Sequence, residues 1–161
     1  METPITFDFQ EGSGDVPAHR HTNPDGTVGG WVADTATVAT TVHVGENARI
    51  FGRAVVSDDA KIFDNAMVSG DTTVFGNAVV SGSAEISGYS KVFGNAEVFD
   101  YASICGNAEV FGDAKAFGNT IVCGRAKVFD GAEVYGKSGI FGDAVVSGND
   151  KICGNDRVFT S

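Results

Sequence analysis

A repeat of six residues runs from Gly30 to Ser161 without an insertion or a deletion, so the chain contains 22 consecutive copies of one short unit. The unit is best written Ala-x-Val-Phe-Gly-Asn. Its third position is Val or Ile in 21 copies, with Ala116 as the exception, and its first position is Ala in 14. Copies this short bury their apolar side chains only by stacking on one another. The sequence therefore predicts an all-β solenoid over residues 30–161, preceded by a non-repeat segment, residues 1–29, that caps it.

Each copy has the pattern of a short strand followed by a tight corner. Alternate side chains of a strand share a face, so the first and third positions point inward together and form a core of Val, Ile and Ala. The fifth position is Gly in 14 copies and Asp in five, and the sixth is Asn or Asp in 12. These residue types tolerate the positive φ angles that tight corners require. Every copy is thus expected to contribute one strand and one corner.

The number of copies in one coil follows from the side chains that should stack, because residues one coil apart lie directly over each other. A coil of three copies is the arrangement that stacks fourth-position side chains of the same type on one another. The fourth position then gives three columns: Phe75, Phe93, Phe111 and Phe129; Phe99, Phe117 and Tyr135; Cys105 and Cys123. The second position gives columns of alternating charge: Glu97, Lys115, Glu133 and Lys151; Lys91, Glu109 and Lys127. The sequence predicts a triangular prism of about seven coils, roughly 35 Å long.

Composition narrows the possible partners and locations. The net charge is −10, which argues against nucleic-acid binding because phosphate recognition requires a basic surface. No apolar stretch approaches the length of a membrane span, and the acidic, polar start of the sequence does not resemble a signal peptide. We expect no membrane association and a cytoplasmic location, or a place in the virion if the protein is encoded by a phage.

The repeat resembles the hexapeptide-repeat family, as in Val74-Phe75-Gly76-Asn77-Ala78 and Val92-Phe93-Gly94-Asn95-Ala96. It is similar, more narrowly, to bacterial and phage proteins rich in Val-x-Gly-Asn-Ala that enter the solenoid through a segment like Gly29-Gly30-Trp31-Val32. The resemblance implies a single-stranded left-handed parallel β-helix. A right-handed, bactofilin-like β-helix is the alternative, because periodicity does not determine handedness.

The same resemblance implies acyl transfer, with a general-base His beside a loop that interrupts the coils. This chain departs from that pattern. Its histidines are His19, His21 and His43, and no loop interrupts its repeats. We therefore expect no catalytic activity and no cofactor; a degenerate acyltransferase is the alternative from the enzyme class.

The non-repeat segment contains two features that suggest contacts. In an extended strand the imidazoles of His19 and His21 would point the same way, so the pair could bind a metal ion. The alternative is a polar cap in which both histidines bond the exposed edge of the first coil. Ile5, Phe7 and Phe9 alternate with polar residues, which predicts a short strand that docks on the prism or on a neighbouring chain.

The fourth-position residues should lean outward near a corner, which allows two interpretations. Stacked rings could simply cover one another and the corner backbone. Alternatively, Phe75, Phe93, Phe111, Phe129, Phe99, Phe117 and Tyr135 form a protein interface, since large apolar patches seldom remain exposed. The resemblance favours an interface and a homotrimer. The spacing of Cys105 and Cys123 is compatible with a disulfide, but stacked side chains need not point at each other, and we expect free thiols.

At the C-terminal end Asp150 and Asp156 replace Ala at the inward first position. Buried carboxylates are costly, so these residues are predicted to cap this end and hinder endless stacking of coils. The resulting hypothesis is a non-catalytic structural or protein-interaction solenoid, a homotrimer that belongs to a phage or derives from one. Besides the degenerate acyltransferase, an acidic binding module or inhibitor of a host protein remains an alternative.

Overall fold

The structure, a computed structural model, describes residues 5–160, and its regular elements there are 24 β-strands in three sheets. The first face contains ten of them: β1 (Thr6–Asp8), β2 (Asp15–Thr22), β3 (Val28–Ala33), β6 (Arg49–Ile50), β9 (Met67–Val68), β12 (Glu85–Ile86), β15 (Ser103–Ile104), β18 (Ile121–Val122), β21 (Gly139–Gly142) and β24 (Arg157–Thr160). The second face contains β4 (Thr37–Val38), β7 (Val55–Val56), β10 (Thr73–Val74), β13 (Lys91–Val92), β16 (Glu109–Val110), β19 (Lys127–Val128) and β22 (Val145–Val146). The third face contains β5 (His43–Val44), β8 (Lys61–Ile62), β11 (Val79–Val80), β14 (Glu97–Val98), β17 (Lys115–Ala116), β20 (Glu133–Val134) and β23 (Lys151–Ile152).

Each repeat strand pairs in parallel with the strand three copies later, as Val74 does with Val92. The second and third faces each contain seven strands, so the chain makes about seven turns of a triangular solenoid. The predicted coil of three copies is confirmed by this register. The handedness of the coil stays a prediction.

The interior is a single apolar column formed by the first and third positions. Val, Ile and Ala at these positions are almost all fully buried, and Ala116, the exception in sequence, is buried with them. Four first positions hold a hydroxyl instead of Ala, and three of these hydroxyls donate to a carbonyl of their own corner at 2.8 Å: Ser90 to Ser87, Thr120 to Phe117 and Ser138 to Tyr135. In these three copies the preceding corner supplies the acceptor that a buried hydroxyl needs; the Thr72 hydroxyl is buried without a hydrogen-bond partner.

The corners are made at the fifth position, where the backbone takes a positive φ. Gly is found there in most coils, and Asp58, Asp64, Asp100 and Asp130 adopt φ of 55–59° in its place. Each of these carboxylates accepts a hydrogen bond from the backbone N–H of the glycine one coil later, as Asp58 does from Gly76 at 3.0 Å. The hydrogen bond offsets the conformational cost of a non-glycine residue in this region.

The non-repeat segment folds back over the outside of the prism. Strand β2 pairs antiparallel with β3, and β1 pairs antiparallel with β2. Phe7 stacks on Trp31 with ring centroids 4.6 Å apart, and Phe9 packs on Phe51 at 5.0 Å. Phe9, Phe51, Ala18 and Ala33 are buried in a second apolar cluster on the outer side of the first face. The strand expected around Phe7 thus docks on its own chain. None of residues 5–160 forms a helix long and apolar enough to cross a membrane.

Candidate interaction surfaces

Aromatic side chains form two continuous columns outside the core. The first ring column is Phe75, Phe93, Phe111 and Phe129, with successive centroids 4.8, 4.8 and 4.9 Å apart and rings parallel to within 5°. The second ring column is Phe99, Phe117 and Tyr135, with centroids 4.7 and 5.1 Å apart. All seven side chains are half-buried. The coil spacing imposes this face-to-face stacking, in which each ring covers part of its neighbours.

The two ring columns lie on the two edges of the third face. The first column follows the strands of the second face and so lies at the corner where the second and third faces meet. The second column follows the strands of the third face, at the corner with the first face. Members of the two columns that are one copy apart, such as Phe111 and Phe117, belong to the same coil. The third face is therefore bordered by aromatic rings on both sides over three coils.

Opposite charges pair along the second and third faces, as their second positions predict. On the third face Lys115 Nζ lies 3.1 Å from Glu97, and Lys151 Nζ lies 3.1 Å from Glu133. On the second face Glu109 contacts Lys127 at 3.1 Å and Lys91 at 3.8 Å. The hydrogen bond that Lys151 donates to Glu133 raises the pKa of Lys151. Exposed pairs of this kind contribute little stability each, and their main effect is to disfavour any other register.

Two arginine–aspartate pairs at the corner between the first and second faces were missed by the sequence analysis. Arg53 Nε lies 2.8 Å from Asp71, and Arg125 forms two hydrogen bonds with Asp143 at 2.6 and 2.7 Å. The Arg125 guanidinium lowers the pKa of Asp143. The partners of both pairs stand at the sixth position and one coil apart, so the coil spacing that identified the lysine–glutamate columns could also have found them.

Side chains of β2 and the turn after it cover the edge of the third face. Nε2 of His21 lies 2.9 Å from the carbonyl oxygen of Val42. The Asn23 side chain accepts a hydrogen bond from Val44 N–H at 2.8 Å and donates one to Val44 C=O at 3.1 Å. One amide group thus replaces the backbone partner that β5 would find in a preceding coil. The sequence analysis did not identify this contact of Asn23.

The two histidines proposed as metal ligands lie in different environments. His19 is exposed, with Nδ1 2.8 Å from Asp34 Oδ1, whereas His21 is buried. The pairing of β2 with β3 shifts register between Arg20 and Thr22, and this bulge interrupts the alternation on which the metal prediction depends. Among residues 5–160, no group of three or more His, Cys, Asp or Glu side chains could hold a metal ion. Metal binding at His19 and His21 stays a prediction.

The fourth-position cysteines of the first face form a column of their own. Cys105 and Cys123 are both free and partly buried. Burial, together with a hydrogen bond to the Cys123 thiol, raises the pKa of Cys105 to about 12. Cys153 lies instead beneath the second ring column, where its hydrogen bond raises the pKa of the Tyr135 hydroxyl.

The last two first-position side chains are exposed, whereas those one coil earlier are buried. Asp150 and Asp156 are exposed, although their carbonyl groups accept hydrogen bonds from Glu133 and Gly139 of the preceding coil at 2.9 Å. Ile152, which lies between them, is half-buried against the core. Solvated carboxylates at the inward positions are compatible with the predicted capping role, which stays a prediction. No protein-family model, curated protein or solved structure matches this chain.

Proposed function

We propose that this chain is a non-catalytic structural or protein-interaction solenoid that assembles as a homotrimer. The observation that supports the proposal is the placement of two ring columns, which share three coils, on the two edges of one face. Most other outward side chains on that face are engaged with each other in ion pairs. The rings are thus the apolar groups on this face that a partner would bury.

The two ring columns suit a head-to-tail contact. In such a contact the first column of one copy packs on the second column of the next, and the arrangement closes after a whole number of copies. Phe93 shares a coil with Phe99, Phe111 with Phe117, and Phe129 with Tyr135. Because each of these rings has a counterpart in the same coil, the two columns can pair along their length when the prism axes are parallel. Three copies joined by this contact form a closed ring, and the third faces of the three triangular prisms lie on its inner side.

The chemistry of the columns also favours a protein partner. Aromatic residues are enriched in protein interfaces, and a continuous apolar ridge rarely remains in water. Stacking within one chain covers the faces of the rings but leaves their outer edges accessible, which is why every ring is only half-buried. A second column of rings would cover these edges.

The mass of the protein in solution tests the proposal. The expected mass is that of three chains. Phe111→Ser and Phe117→Ser each break one of the two columns, and Ser already stands at the fourth position in Ser57 and Ser81. Both variants should dissociate to smaller species with unchanged circular dichroism. The matched control is Tyr89→Ser, which removes an exposed ring outside the columns and should leave the trimer intact.

Mixing the two serine variants tests the head-to-tail geometry. Each variant retains the column that the other has lost, so a mixture should form a heterodimer through one intact contact. A monomeric unmodified protein with the circular dichroism of a β-solenoid would refute the trimer. A trimer that tolerates both substitutions would refute the ring columns as its interface.

We also propose that the protein is a phage component or derives from one, acting as a rigid spacer. The repeats support this origin through their resemblance to Val-x-Gly-Asn-Ala proteins of bacteria and phages. Co-sedimentation of the chain with purified phage particles would support it, and its exclusion from such particles would refute a place in the virion.

A further inference from the structure

Two thiols of the first face stand directly above one another. Strands β15 and β18 pair in register, with Ile104 opposite Val122, and the cysteines are the next residues of each strand. The backbone holds them in place, since Cys105 N–H donates to the carbonyl of Val122 at 2.9 Å. Both thiols are reduced and partly accessible. The fold therefore presents a pair of sulfur atoms on rigid backbone.

The coil repeat sets the distance between these sulfur atoms. Stacked rings elsewhere in the solenoid show that equivalent side chains one coil apart are separated by 4.7–5.1 Å. Rotation about Cα–Cβ moves each sulfur between its staggered positions and so adjusts the separation around this value. Metal–thiolate bonds are about 2.3 Å long in zinc sites, and two bonds of this length in line would span roughly 4.6 Å. This length lies within the range that the column allows.

The surroundings of the pair contain few charges. Ser87 precedes the pair in the same column and Phe141 follows it, and the second-position neighbours are Ser103 and Ile121. The charged neighbour along the chain is Arg125, two residues after Cys123, and its guanidinium is already paired with Asp143.

We propose that Cys105 and Cys123 form a two-coordinate site for a soft monovalent metal ion, Cu(I). Binding breaks two S–H bonds, releases two protons to solvent and forms two S–Cu bonds, which gives a bis-thiolate with a net charge of −1. No electron is transferred. Thiolate ligands favour Cu(I) over hard cations, and the column offers two sulfurs where Zn²⁺ would need four ligands.

The test is an anaerobic titration of the full chain with Cu(I) in competition with a chromogenic Cu(I) chelator. One Cu(I) per chain is expected to bind. Cys105→Ser and Cys123→Ser should each weaken binding by about 100-fold or more, because the second thiolate acts at high effective concentration. Ser is compatible with this column, since Ser69 and Ser87 occupy it. Cys153→Ser is the matched control and should bind as the unmodified chain does.

Counting reactive thiols provides a second readout. The unmodified chain has three cysteines, and one equivalent of Cu(I) should protect two of them from a thiol reagent. Circular dichroism of each variant shows whether the solenoid is retained. The proposal is refuted if folded Cys105→Ser binds as tightly as the unmodified chain, if Cys153→Ser abolishes binding, or if no thiol is protected.

Discussion

Substitution of Gly94 tests how closely the coils approach at their corners. Gly94 has a φ of +71°, and a Cβ at this position would lie 3.0 Å from the nitrogen and 3.2 Å from the oxygen of Gly112. An alanine in this conformation costs about 1–2 kcal/mol, and the backbone of the next coil must also move by a few tenths of an ångström. Gly94→Ala should therefore lower the free energy of unfolding by about 2–4 kcal/mol.

Gly94→Asp is the matched variant, because the same column already contains aspartates. Asp58 and Asp130 accept hydrogen bonds from the backbone N–H of Gly76 and Gly148 at 3.0 and 3.3 Å. An aspartate at position 94 can bond the N–H of Gly112 in the same way. A charge-assisted hydrogen bond contributes about 1–3 kcal/mol, and solvent exposure places this one at the lower end. Gly94→Asp should be at least ~1 kcal/mol more stable than Gly94→Ala.

Denaturant unfolding of the two variants and the unmodified chain measures these differences, with equal m values as the condition for comparing them. The advantage of Asp should disappear as the pH falls below about 3.9, the ordinary carboxyl pKa, because a carboxyl that is bonded when ionised stabilises only above that range. A cost of less than ~0.5 kcal/mol for Ala would refute the close approach. Equal stability of Ala and Asp at neutral pH would refute the contribution of the carboxylate.

Three other changes test separate contacts. Asn23→Ala removes both side-chain hydrogen bonds to Val44, so the unfolding free energy should fall by about 2 kcal/mol and hydrogen exchange at the Val44 amide should accelerate; unchanged exchange would contradict the cap. Because the pKa of Cys105 is raised, the stability contributed by its protonated thiol is complete below the ordinary pKa near 9 and is lost as the pH rises towards 12. Between these pH values the free energy of unfolding of Cys105→Ala should therefore fall less than that of the unmodified chain, as measured by denaturant unfolding. Arg125→Gln should be slightly less stable at neutral pH, and the difference should vanish on acidification, because the depressed pKa of Asp143 adds stability only above the ordinary carboxyl range; a difference that persists in acid would show that packing, not charge, is lost.

Most of the solenoid could be predicted because its stabilising contacts repeat at one spacing. Placing Phe75 over Phe93 and Glu97 over Lys115 requires a coil of three copies, and the strand register has this spacing. Sequence periodicity carries this information because each coil contacts only its neighbours. It carries no information on handedness, since a coil of either hand contains the same stacked pairs.

The non-repeat segment could be predicted only in outline. Alternation around Phe7 indicated a strand, but its position over Trp31 depends on how the β1–β2 hairpin folds back, which no periodic signal specifies. Asn23 lies in a turn, as its sequence context indicates, and its side chain also bonds Val44. The bulge after Arg20 has no distinctive residue pattern, and it separates the environments of two histidines that simple alternation places together.

The uniform register along the three faces has a consequence for the length of the molecule. Adding or removing three consecutive copies inserts or deletes a whole turn, and the inward side chains on either side still meet partners of the same type. The alternating charges of the second position keep opposite partners only when two turns are added or removed. Extension therefore proceeds in steps of about 4.8 Å. Loss of a single residue, in contrast, would turn apolar side chains outward in every later turn. A gene for such a protein can lengthen by duplicating whole turns or shorten by deleting them while both ends keep their structure. The length of the chain can thereby be matched to a required distance.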